Sequence, residues 1–531
     1  MQIFLDGQEL DLNPNERIAL TFQISDIADL SKANTSYTNK FKIPKTEKNL
    51  RILHYLGVPG NLSRKPYILN NVTVLEDSIL ILGNGYCEIS DANGKEYNIN
   101  IYGSEKTFFE KLKNYTLKDI YPTTNIIWTA QNLLNYVNSS SNFCFPVAQY
   151  NGESFHSGSL QTSGTAYSRT KATSSTPVFF VRYIFESIFS FLGYTVTYPM
   201  QTNSIFSKLV LPAQKGVSHF GIQHGDTFNL KNCVHEVACE VLIKELMHRY
   251  GLILKVDEIN KKVTFQRMDN LLRSSLIIDW TDKFSSFGNE KYFLDGYAQK
   301  NYFKYSEDEA DINMPELFPS DELIGSFNIQ NETLDKEKTI IESAFKKPKM
   351  SRPIESNTNA KGRIFFPTSN GINYFLLDLA ENTLENDGTY KIKEIPFQLM
   401  YLRNIGPTPI NFSFIEPSGT QRTAIQIQGR TCSKDNISFQ QFINENYVEV
   451  KNLLDTMNIT KVTMKLSVLD IYRFDFFSRV YLQQFGCFFY VNKITNWQKD
   501  KLVDVELIKI PSVVSTGGGY GYSNNNMIGS L

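Results

Sequence analysis

Residues 245–268, ELMHRYGLILKVDEINKKVTFQRM, hold the pattern that fixes the reading of this chain. Leading into it, Val237, Val241, Leu242, Leu246, Met247 and Tyr250 recur at helical spacing and predict a helix over 237–250. Gly251 then stops it, because glycine just past the last turn takes the left-handed cap that other residues resist. LILKV at 252–256 and a second alternating run predict a β-hairpin around a polar turn near 257–262. The same plan occurs earlier in the chain. In 178–192, Phe179, Tyr183, Ile184, Ser187, Ile188, Phe191 and Leu192 share a helical face, Gly193 ends it, and YTVTY at 194–198 reads as a strand. The echo hints at paired subdomains.

Outward from this unit the pattern is mostly β. IALTFQISDI, NNVTVLEDSILILGNGYCEIS and GKEYNINIYG alternate apolar and polar residues, and Asn93-Gly94 suits a primed turn with positive φ. A short helix is predicted over 104–112. Residues 138–176 are rich in Ser, Thr and Gly and read as a long loop. Strand signal returns at 297–305, 374–379, 390–401, 410–415, 423–428, 460–468, 488–495 and 502–510. The closing stretch PSVVSTGGGYGYSNNNMIGSL is too rich in Gly and Asn to form a regular element alone. Its apolar residues Tyr520, Tyr522, Met527, Ile528 and Leu531 make a candidate interface, as a docked arm or as a disordered end.

The fold class expected is mainly β with a few α-helices, α+β and multidomain. The division read from composition is a β-rich domain 1–120, a Ser/Thr-rich linker 121–176 and an α+β domain with two helices at 177–344. An inserted β domain 345–440, a β domain 441–510 and a tail 511–531 follow. A chain of 531 residues exceeds what one core serves, and about two to four domains are the prior. Apolar residues at 41% are ordinary for a globular protein.

Lys plus Arg number 54 and Asp plus Glu 55, so no basic surplus exists for holding a phosphate backbone. Six cysteines, Cys87, Cys144, Cys233, Cys239, Cys432 and Cys487, show no disulfide rhythm and read as core residues or free thiols. MQIFLDGQELD turns acidic too early for a signal peptide. The most apolar run, PVFFVRYIFESIFSFLGY, carries Arg182 and Glu186 and reads as a buried helix, with no membrane insertion.

No P-loop, dinucleotide fingerprint, His-Glu-x-x-His or nucleophile elbow is present. The nearest approach to a metal site is His219, His224, Cys233, His235 and Cys239, whose spacing fits no common zinc pattern. Cys233 and Cys239 are expected in the first turns of the helix, with His235 beside Glu236 within reach of water. Glu307, Asp308, Glu309 and Asp311 could supply paired carboxylates, but four acids in one loop read first as a solvated face. No catalytic residue, cofactor or metal is therefore expected.

Three segments carry a family resemblance. IALTFQISDIADLSKANTSYTNKFKIPKTEKNLRIL, through Ser25, Asp26, Ile27, Ser36, Phe41, Pro44, Thr46 and Asn49, resembles the opening of structural tail proteins from phages of Bacteroides. LIKELMHRYGLILKVDEINKKVTFQRM with YAQKNYFKY is similar to the hub domains of contractile and non-contractile tails, and LSVLDIYRFDFFSRVYLQQFGCFFYVNKITNW with LVDVELIKI to the closing β-domain of the same family. The family these segments resemble is the tail-hub or tail-ring proteins of short-tailed crAss-like phages. The resemblance implies a virion structural protein with barrel- or sandwich-like β domains, not an enzyme, forming a cyclic homo-oligomer, six- or twelve-fold, around the DNA channel. It implies contact with other tail, ring or portal-proximal proteins, DNA only as passing cargo, and no small-molecule substrate. The location implied is the virion tail, assembled in the host bacterial cytoplasm, with a part in genome ejection. The alternative reading is a tail-associated receptor-binding or polysaccharide-depolymerising protein, which fixed repeats would favour, and none is found.

Overall fold

The computed structural model describes all residues except 15, 24–35, 130–131, 133–134, 137–138, 147–176, 217–219, 221, 223–224, 293–295, 307–322, 349, 352–375, 378–381, 385–389, 393, 405–409, 416–420, 428–429 and 512–531. It is mainly β, with several sheets and a smaller share of helix. The expected helix–glycine–hairpin unit forms, with the helix starting two residues later than predicted: helix Cys239–Tyr250, Gly251 at φ +56°, and strands Leu252–Asp257 and Lys262–Arg267 paired antiparallel. Gly251 is doubly constrained, since a Cβ there would lie 2.9 Å from the Asn446 carbonyl oxygen.

The first copy of the plan differs in frame. Val178–Phe180 is a strand paired with Leu209–Pro212, and the helix starts only at Val181. Its buried face is therefore Val181, Ile184, Phe185, Ile188 and Phe189, whereas Phe191 is half exposed. A run that is apolar nearly all round allows several frames, and the strand pairing selects one. The two copies do join: Thr195–Thr197 pairs parallel with 262–264, so both feed one three-stranded sheet. The second helix is also rotated from its expected face. Val241 is half-buried, while Glu245 and Arg249 lie on the buried side.

A sheet of fourteen strands links the two ends of the chain. Leu20–Phe22 pairs with Cys487–Trp497, placing Leu20 opposite Trp497 and Phe22 opposite Ile494. One core beneath this sheet holds Ile3, Phe41 and Ile99 together with Trp280, Phe489 and Trp497. A second, larger core gathers the helices Ser104–Lys113, Val181–Phe191 and Cys239–Tyr250 against the smaller sheets. The hairpin turn at 93–95 forms as expected, but neither Asn93 nor Gly94 has positive φ. Instead the Asn93 side chain accepts from Lys95 N and Glu96 N, each at 2.8 Å, and so closes the turn itself.

Part of the sheet rolls up. Its order there is Ile277–Asp279, Arg479–Leu482, Cys487–Trp497, Val503–Lys509, Ile459–Met464, Phe284–Lys291. Laid flat, five inter-strand spacings of roughly 4.8 Å would hold the outer strands ~24 Å apart. The chain from Asp279 to Phe284 reaches at most about 17 Å. The sheet must curl, with Trp280 buried at the crossing. It does not close by hydrogen bonds among the described residues, since 277–279 and 284–291 pair only with their separate neighbours.

The motif near the N-terminus has a structural explanation. Thr46 caps the helix Glu47–Ile52 by accepting from Asn49 N. Asn49, fully buried, donates to Asp11 O (2.9 Å) and Pro44 O (2.8 Å) and accepts from Asp11 N (2.9 Å). It thus ties three separate pieces of backbone. Asn49→Ala is expected to cost about 2–4 kcal/mol, because it strands buried groups on both sides, read as a lowered urea midpoint.

Candidate functional site

The metal candidate is dispersed and dry. Cys233 ends the 3-10 helix Leu230–Cys233, while Cys239 opens the next helix; only Cys239 sits where the sequence reading put it. His235 is only 4% exposed, which corrects the expectation that water reaches it. Its Nε2 lies 2.9 Å from the Pro212 carbonyl, to which the neutral ring donates, and its ring packs at 5.2 Å from Phe397. Burial pushes its pKa down to about 4, and burial pushes the Cys239 thiol up to about 12 and Cys233 further up. A protonated thiol and a ring already committed to a carbonyl are poor ligands. His219 and His224 lie outside the described residues, as do Glu307, Asp308, Glu309 and Asp311. Among the described residues no three His, Cys, Asp or Glu side chains converge.

His235 makes the fold sensitive to acid. With a folded pKa near 4 against an ordinary 6.5, the unfolded chain takes up the proton first. The contribution of the neutral ring is complete above pH 6.5 and is lost as pH falls toward 4, by about 3 kcal/mol. Urea midpoints at pH 7 and 4.5 should separate accordingly, and His235→Gln should shrink that difference, leaving the part due to His248, whose pKa burial also pushes down to about 4.

The structure brings together a cluster that spacing could not indicate. Glu258, buried in the hairpin turn, accepts from Lys111 Nζ at 3.0 Å, and from Tyr194 and Lys261. Burial works to raise its pKa, but the hydrogen bonds from Lys261, Tyr194 and Lys111 outweigh it and hold the carboxylate below its usual range. The helix Ser104–Lys113, the first helix–strand copy and the hairpin meet on this one carboxyl group. Beside it lies a cavity of about 230 Å³, lined by Asn70, Tyr86, Thr107, Lys111, Glu258 and Lys261. A buried carboxylate held by three donors, with its pKa kept below the usual range, is a clamp and a weak base toward a substrate proton.

A second cluster surrounds Arg249. Its guanidinium is fully buried, 4.4 Å from the Phe439 ring centre, 4.8 Å from Tyr305, 5.3 Å from Phe345 and 5.4 Å from Phe442. One turn earlier, buried Glu245 accepts from Ser343 Oγ (2.6 Å) and from Ala344 N. These contacts bind the 239–250 helix to the sheet of Lys300–Ser306 and Glu337–Lys346 and to the helix Phe439–Asn446. The arrangement is cohesive in nature. Nothing in it opens to solvent.

Uncovered apolar surface lies elsewhere. Leu62, Tyr67, Ile68 and Leu69 are exposed near the N-terminal sheet, and Leu276, Ile277, Phe287 and Tyr292 along the rolled one. The five interface candidates of the tail, Tyr520, Tyr522, Met527, Ile528 and Leu531, lie outside the described residues. Among those described, no helix is long and apolar enough to cross a membrane.

No protein-family model matches the chain, and no curated protein does. Among solved structures it is similar to the 43 kDa tail protein of prophage MuSo2 from Shewanella oneidensis, at 8% identity and a TM-score of 0.37, over 96% of this chain and 98% of that one. It is similar also to the tail protein from Neisseria meningitidis MC58, at 8% identity and a TM-score of 0.35, over 96% and 95%. A third is prophage tail protein gp18 from Listeria monocytogenes EGD-e, at 7% identity and a TM-score of 0.32, over 96% and 94%.

Proposed function

We propose that the chain is a structural subunit of a phage tail that works by assembling with copies of itself and with neighbouring tail proteins. On this reading the copies form a hub or ring, six- or twelve-fold, around the channel through which the genome is ejected. The finer placement in a short, crAss-like tail rests on the sequence resemblance, as does assembly in the host cytoplasm, and the division into domains rests on composition and pattern.

The observation that carries the reading is where apolar surface is left bare. A strand exposed on both faces and a ridge at Leu62–Leu69 present aromatic and aliphatic side chains to solvent in a single copy. The ionisable groups, by contrast, are spent on cohesion: Glu258 on three donors, His235 on a carbonyl, Arg249 on four rings. The near-neutral charge of 54 basic against 55 acidic residues suits a wall that DNA passes without being held.

Mass measurement of the purified chain, with electron microscopy of the assembled particles, tests this. A closed multimer is the expected result. A chain that stays monomeric at every concentration and hydrolyses a polysaccharide would overturn it.

A further inference from the structure

The strand Phe284–Lys291 stands apart from the sheet that holds it. Its partner Ile459–Met464 alternates half-buried and buried residues, whereas 284–291 is exposed along most of its length on both faces. Among the described residues it hydrogen-bonds only to that partner, so its other edge presents unpaired backbone groups. Phe287, 50% exposed, sits opposite buried Val462 and therefore faces the core side, where the core has run out. It ends a chain of rings: buried Phe489 lies 5.7 Å from Phe485, which lies 5.6 Å from Phe284 and 6.4 Å from Phe287. Tyr292, 65% exposed, follows the strand. The stretch FSSFGN at 284–289 has no charged residue, although charge is a common guard on a free edge. Two bulges, at 284/286 and 287/289, limit that edge to a short added segment.

The C-terminal residues start close by. Lys291, Ile459 and Ile508 form one row across three strands, and Ile510 N still bonds to Phe488 O. Residues 512–531 thus leave beside the far end of the exposed strand. Fully extended, at roughly 3.3 Å per residue, they reach on the order of 60 Å, enough to cross to a neighbour. They carry no charged side chain, matching the uncharged edge, and GYGYS places Tyr520 and Tyr522 on one face of an extended segment.

We infer that the strand Phe284–Lys291 of one copy receives residues 519–523 of a second copy as an added strand, with Tyr520 and Tyr522 covering the open ring cluster at Phe284, Phe287 and Phe485. The inference rests on the multimer reading above and names its contact. Donor segment and acceptor strand are different surfaces of the chain, the head-to-tail kind of interface that generates rings. Backbone hydrogen bonds supply the affinity and the alternate tyrosines the register.

The test uses the full-length chain. Phe287→Cys and Tyr522→Cys are combined, isotope-labelled and unlabelled copies are mixed before assembly, and the oxidised product is mapped by mass spectrometry. A disulfide joining Cys at these two positions from labelled and unlabelled copies is the expected result; links within one copy only, or none, overturn the inference. In parallel, Phe287→Asp and deletion of 519–531 should each lower the assembled fraction at least tenfold in light scattering, with the circular dichroism of the folded chain retained. Assembly unchanged in both variants defeats the strand contact and spares the multimer. A parent chain that never assembles defeats both.

Discussion

Leu246→Asp leaves no folded, soluble protein. Leu246 is fully buried in the larger core, on the same face as Leu242, Ile243 and Tyr250. A carboxyl group placed there neutralises sooner than it ionises, and a pKa raised by three to five units corresponds to about 4–7 kcal/mol. Loss of the leucine's own burial adds ~2 kcal/mol. The sum is comparable with the whole stability of an ordinary domain, about 5–15 kcal/mol. Soluble yield and circular dichroism measure it, with Val241→Asp as the comparison: Val241 is half-buried, so its carboxylate keeps contact with water and that variant stays soluble. A native-like Leu246→Asp protein would mean that this face of the helix is not core.

Arg249→Ala is expected to cost about 3–5 kcal/mol, since it empties the fully buried space between four rings. Arg249→Met should cost only about 1–2 kcal/mol, because an unbranched apolar side chain keeps most of the packing and removes a charge whose Nε and Nη2 find no partner. Urea midpoints of the two variants decide it. Equal losses would show that the guanidinium contributes through its charge over the rings and not through the volume it fills.

The helix–glycine–hairpin unit was legible because each of its signals is local. Periodicity defines the 239–250 helix, the backbone freedom of Gly251 ends it, and a polar turn joins the strands 252–257 and 262–267. Most strands could be read from alternation, including Cys487–Trp497 and Val503–Lys509. Two helices in the region read as β, Phe439–Asn446 and Val448–Asp455, were missed. The second of them is capped by Asp269, whose carboxylate accepts from Val448 N (3.0 Å), Glu449 N (3.1 Å) and Val450 N (3.1 Å). No window of sequence contains both partners. Near 467 the sequence does carry a signal: Ser467 and Asp470 form a capping box, so the strand expected over 460–468 ends at Met464 and a helix Val468–Arg473 begins. The buried faces failed differently. In a segment as apolar as 178–192 the frame depends on where the helix starts, and the pairing of Val178–Phe180 with Leu209–Pro212 sets that start.

By itself the sequence determined the elements whose cause lies within a turn or two of chain: the glycine caps, the alternating strands, and the β-rich class of the protein. It also determined the lack of a charge surplus that could hold nucleic acid. Tertiary structure alone decided what those elements meet. It brought Glu258 to Lys111 and Tyr194, enclosed Arg249 in rings from three distant segments, and carried one strand out to the edge of a rolled sheet with both faces bare. The reason is physical. Backbone conformation answers to neighbours a few residues away, whereas burial, pKa and exposure answer to whichever surfaces the whole chain presses together.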